Sequence, residues 1–72
     1  MPLFLVDGDE AKLRILMDET TSETQRKKAQ LLLGLEDGLD AQTIAETLGV
    51  PVQRILYWRR EYLKRRLTIF DE

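Results

Sequence analysis

Four side chains near the end of the chain recur at the spacing of one helical face: Gln53, Tyr57, Arg60 and Lys64. Their chemistry suits base edges set on a polyanionic backbone. A glutamine amide can bond adenine in two places, and an arginine fork reaches guanine or a phosphate. A tyrosine packs on a thymine methyl or bonds a phosphate, and a lysine adds a point charge. Gln53, Tyr57 and Arg60 are therefore the base-reading candidates. Arg54, Arg59, Lys64 and Arg65 are the phosphate-contacting candidates around them. Gln42 and Thr43 join that group, because they open a helical run whose positive end favours an anion. Arg26, Lys27 and Lys28 form a second basic cluster, suited equally to a backbone contact or to a solvated face.

The missing residue types narrow the chemistry further. The chain has no cysteine and no histidine, so it lacks a disulfide frame, a thiol nucleophile and the commonest general base. Asp37 with Asp40, and Asp71 with Glu72, stand close in sequence, but each pair falls at a helix end or the chain terminus, where capping or solvation accounts for it. No catalytic residue, metal site, cofactor or small-molecule substrate is expected. At 72 residues, 43% apolar and 33% charged, the chain reads as one small soluble domain near the lower size limit for independent folding. No apolar run approaches the roughly 18 residues of a membrane span. The apolar start, Met1 to Val6, lacks the basic residues of a signal peptide. The expected location is cytoplasmic, associated with the nucleoid.

A net charge of −2 argues against a nucleic-acid partner until the chain is divided. Residues 1–24 carry −4, residues 25–50 carry −1 and residues 51–72 carry +3. Between Arg54 and Arg66 only Glu61 opposes six bases. Screening limits each charge to about 8–10 Å in physiological salt, so a partner meets the local excess.

The elements that must position these residues are helical, since no clean alternating run is bounded by turn residues. Asp7 with Glu10 has capping-box spacing, followed by Leu13, Leu16, Met17 and Thr20 on one face. Ser22 with Gln25 repeats the capping signal before Ala29, Leu32, Leu33 and Leu35. Gly38 suits a left-handed helix stop, and Asp40 suits the cap of the next helix. That third helix is short, and Pro51 after Gly49-Val50 suits the first helical position of the fourth. This predicts an all-α fold with helices at about 8–20, 23–36, 41–48 and 51–66.

A short helix, a glycine turn and a longer basic helix outline a helix-turn-helix. The steep crossing needs a tiny side chain where the helices touch and a glycine where the chain reverses. Ala45 and Gly49 meet those needs, Val50 plugs the turn, and Ile44, Leu48, Ile55 and Trp58 face the core. A plain helical hairpin needs the apolar period but not this spacing. With Ile55 as the core direction and about 100° per residue, Val52, Trp58 and Tyr62 face inward and Gln53, Tyr57, Arg60 and Lys64 face outward. Trp58 and Tyr62 are thus core residues rather than stacking platforms. Arg59 also falls on the inner side, with its stem packed, and Leu56 falls at the core edge.

The run from Arg26 to Asp40, with Ile44 to Val50, Ile55 and Trp58-Arg59-Arg60, resembles the first DNA-binding region of mariner-superfamily insertion-sequence transposases. The similarity extends to the acidic first helix and to Tyr62-Leu63-Lys64-Arg65-Arg66-Leu67, nearly the whole chain. Regulators with homeodomain-like folds share these motifs. The resemblance implies a homeodomain-like domain that grips terminal inverted repeats, with cleavage left to a larger domain for which this chain has no room. The chain would then be part of a longer protein, a truncated relic or a stand-alone DNA binder. It departs from the family pattern at Pro51, where many relatives place Ser or Thr, and at Arg54, which can take over the phosphate contact that a hydroxyl makes elsewhere.

One domain over residues 1–72 is expected: an acidic helix to residue 21, a three-helix DNA-binding core over 22–66 and an apolar and acidic tail over 67–72. The expected partner is double-stranded DNA, with a homodimer or an attached domain supplying further specificity. Leu3-Phe4-Leu5, Leu67, Ile69 and Phe70 are expected to fold back on the domain, because the core is otherwise small; the alternatives are that they pair two copies or mark where a longer chain was cut. The alternative is a protein-interaction adaptor that keeps the fold without DNA binding, using Leu13, Leu16 and the terminal apolar residues.

Overall fold

The computed structural model describes Leu5 and residues 8–70. Four α-helices succeed one another, α1 (Asp9–Glu19), α2 (Glu23–Glu36), α3 (Ala41–Leu48) and α4 (Val52–Arg65), and a 3₁₀ segment follows at Arg66–Phe70. There is no strand among the described residues. The second and third helices have the bounds expected from their caps. Ser22 Oγ accepts the Gln25 amide at 3.3 Å, and Asp40 Oδ1 accepts the Thr43 amide at 2.7 Å. Only half of the expected capping box forms at Ser22, because the Gln25 side chain donates instead to the Phe70 carbonyl at 3.3 Å.

The other two helices are shorter than predicted. Gly8, at φ 89°, stands outside α1 as its cap, and Thr20 is already extended. Asp7, the expected cap, lies outside the described residues. Pro51 is the cap of α4 rather than its first helical residue, because its ψ of 143° is extended. At the far end Arg66 leaves the helix at φ 56° and ψ −139°, a region that residues with a Cβ occupy only under constraint. The chain therefore turns back into the 3₁₀ segment, which buries Ile69 and packs Leu67 and Phe70 against the core. The terminal apolar residues fold back, as expected; Leu3 and Phe4 lie outside the described residues.

The second helix is the axis of the packing. Leu31, Leu32 and Leu33 are all buried, which one-sided cover cannot achieve for three successive helical residues. The first, third and fourth helices all contact it. Its end is set by Gly38, at φ 88°. Gly38 N–H donates to Leu35 O and Leu39 N–H to Gly34 O, each at 3.1 Å, the paired bonds of a Schellman stop. Gly34 permits the close approach of α3, since a Cβ there would lie 3.1 Å from Ile44 Cδ1.

The first and fourth helices are joined by a charged cluster. Asp9 is 1% exposed. Its Oδ2 accepts the Tyr62 hydroxyl at 2.7 Å, and the Arg66 guanidinium spans both its oxygens at 3.2 Å. Arg66 is half exposed, so water can take over its charge, and the loss on removing Asp9 falls on its buried bond with Tyr62. Asp9→Ala is expected to lower the unfolding free energy in urea by about 2 kcal/mol. Tyr62→Phe removes one bond to a carboxylate that Arg66 still holds, and is expected to lower it by about 2 kcal/mol.

Candidate nucleic-acid interface

The placement of α4 begins in the turn before it. Gly49 takes φ 70°, and the Gly49 and Val50 amides both donate to Ala45 O, at 2.9 and 3.1 Å. Ala45 is buried, and Val50 packs against the core. Ile55 and Tyr62 bury the inner face of α4, with Val52 and Trp58 beside them. The outer face is thereby fixed. Gln53, Tyr57, Arg60 and Lys64 are all exposed, one above another along the helix. Arg54 is exposed at its edge. An open hollow of about 410 Å³ gathers Gln53, Arg54 and Tyr57 with Pro51 and Trp58 at the start of the helix.

A chain of aromatic contacts runs inward from this face. The Arg60 guanidinium lies 5.9 Å from the Tyr57 ring centroid. Tyr57 meets Trp58 edge to face, with centroids 5.0 Å apart. The indole is also met by the Lys28 ammonium, 3.8 Å from the centroid and donating to Ile69 O at 3.0 Å. Lys28 is 4% exposed, so the basic cluster Arg26-Lys27-Lys28 is not one surface. The terminal segment covers Lys28 and gives its charge a carbonyl and two rings, the second being Phe70 at 5.3 Å. Arg26 is held by Glu23 and by the Thr20 carbonyl at the end of α1.

Two residues depart from the helical wheel. Arg59 and Leu56 are both exposed, although the wheel sets the first on the inner side and the second at the core edge. The buried contacts of α4 run through Ile55, Trp58 and Tyr62, and the flank that carries Arg59 and Leu56 is left exposed among the described residues. Arg65 is paired with Glu61 at 3.3 Å, which offsets part of its charge. The start of α3 is also occupied: Gln42 donates to Glu46 at 3.2 Å, and the Asp40 carboxylate accepts the Thr43 amide. A phosphate beside Gln42 and Thr43 would meet those carboxylates. The strongest concentration of available cations is on α4.

The surface required by a protein adaptor changes as well. Leu13 and Ile69 are buried, and Leu16, Leu67 and Phe70 are partly buried. Among the described residues no three Asp or Glu side chains converge as metal ligands, and no helix is long and apolar enough to cross a membrane.

Lys28→Met keeps the stem but loses the ammonium. It is expected to cost about 2 kcal/mol in stability, with faster hydrogen exchange at Ile69 and Phe70 and a shifted Trp58 indole resonance. Hydrogen bonds from the Thr43 amide, then from its hydroxyl, hold the Asp40 carboxyl below the ordinary range. That folded-state depression contributes stability above the unfolded value of about 4, and the contribution is lost as pH falls through the folded value. The stability gap between the unsubstituted chain and Asp40→Ala is accordingly expected to be widest near neutrality and to close in acid, measured by urea unfolding across pH. No family model, curated protein or solved structure matches the chain, so a functional reading rests on this geometry and the residues that make it.

Proposed function

We propose that the domain binds double-stranded DNA by laying α4 in the major groove, as a transposase-derived module or a transcriptional regulator. The observation that carries this reading is the outer face of α4. Gln53, Tyr57, Arg60 and Lys64 share it and are exposed, on a helix whose opposite face is locked into the core. Gln53 and Arg60 have the donors and acceptors to read base edges, Tyr57 can meet a thymine methyl, and Arg54 and Lys64 can hold the flanking phosphates. Two acidic residues of the first helix are already engaged within the chain, Asp9 by Arg66 and Glu10 by Arg14 at 2.9 Å. The short turn also exposes the amino-terminal part of α4, which is the part that reaches base edges in helix-turn-helix docking.

Fluorescence anisotropy with a random duplex tests the reading. Binding at about 100 μM or tighter is expected at low salt. If about four to six phosphates are met, raising salt from roughly 50 to 200 mM weakens binding about a hundredfold to two-thousandfold. Arg60→Ala with Lys64→Ala should flatten that salt dependence by about one to two phosphates, whereas Gln53→Ala should change sequence preference and leave the slope alone. No binding at low salt would overturn the proposal.

A further inference from the structure

A second strip of α4 lies beside the face assigned to DNA. Leu56 and Leu63 are 50% and 57% exposed. They stand two helical turns apart on the exposed flank of the described residues, with Arg59 between them and Arg60 and Lys64 along one border. A single exposed leucine is ordinary, but two aligned on one ridge with basic borders form a surface with a definite complement. That complement is apolar at its centre and acidic at its edge.

The chain carries such a surface on α1. Ile15 is 56% exposed. Asp18 and Glu19 lie one turn beyond it, both exposed, and neither has an ion pair among the described residues. The acids at the other end of α1 are engaged, Asp9 by Arg66 and Glu10 by Arg14. The free half of α1 is therefore an apolar knob edged with two carboxylates.

We infer that these surfaces bind each other between copies of this chain. Ile15 of one copy seats between Leu56 and Leu63 of the next, and Asp18 and Glu19 face Arg60 and Lys64. Pairing two α4 ridges directly would set bases against bases, which charge disfavours. The contact is heterologous, each copy offering a different surface to each neighbour. Three apolar side chains cover far less than the roughly 1,200 Å² of a stable interface, so the association is weak and sensitive to salt. It requires no nucleic acid, and its test is independent of DNA binding.

Sedimentation equilibrium of the full chain, from about 10 μM to about 1 mM, decides it. At low salt the weight-average mass should rise above the 8.4 kDa of one chain as concentration increases, and high salt should reduce it. Ile15→Glu and Leu63→Glu should each weaken association by about tenfold or more. Both positions are exposed, and circular dichroism checks that each variant remains folded. An equimolar mixture of the two variants should associate again and stop at pairs, because one retains the intact ridge and the other the intact knob. A monomer throughout at low salt would overturn the inference. So would association that Ile15→Glu leaves intact, or a mixture that fails to recover.

Discussion

The ammonium of Lys28 holds the outer end of the domain together. It sits 3.8 Å from the Trp58 ring centroid and 3.0 Å from Ile69 O, so one charge ties α2 to α4 and to the terminal segment. A buried cation is costly to leave without partners. The terminal segment is thus held by the charge it covers as well as by the burial of Ile69. Trp58 is held in turn, and through it Tyr57 and Arg60 on the exposed face. The geometry offered to a partner depends on an interaction that faces away from it.

Asp9 does the corresponding work between α1 and α4, with the opposite sign of charge. A domain this small can bury only about 60% of its unfolded surface, and its apolar contacts leave little margin over chain entropy. Chains without disulfides or a structural metal need other restraints at this size. Here two charged side chains, each with several partners, bridge elements that lie far apart in the sequence. The surface is altered by the same arrangement. Asp9 and Lys28 are withdrawn from it, leaving the exposed cations concentrated along α4 and unpaired acids at the end of α1.

Local features of the fold were legible in the sequence. Ser22 and Asp40 cap their helices three residues on, and Gly38 and Gly49 stop theirs with a positive φ. All four act within a few residues, where spacing carries the information. The outer face of α4 was legible for the same reason, since helical periodicity fixes which side chains stand together. Lys28 and Asp9 were not, because their partners lie far along the chain, from Trp58 for the first to Arg66 for the second. Nothing local distinguishes a lysine in a basic run from one that will be enclosed. Arg59 and Leu56 show the limit of the helical wheel. It gives the direction of each side chain but not how far the neighbouring elements extend round the helix. Gly34 fits a similar account, because its contact with Ile44 depends on how closely α3 approaches.

Arg66 meets two demands that no single residue satisfies without conflict. Its backbone turns through a conformation that glycine adopts freely, while its side chain supplies the fork that neutralises Asp9. Glycine there would relax the turn and abandon the carboxylate; a lysine would keep charge but lose the two-pronged geometry. Positions 9 and 66 consequently form one unit of substitution. Giving up the arginine leaves the buried carboxylate at position 9 without its guanidinium, so the two sites are expected to covary although 57 residues separate them.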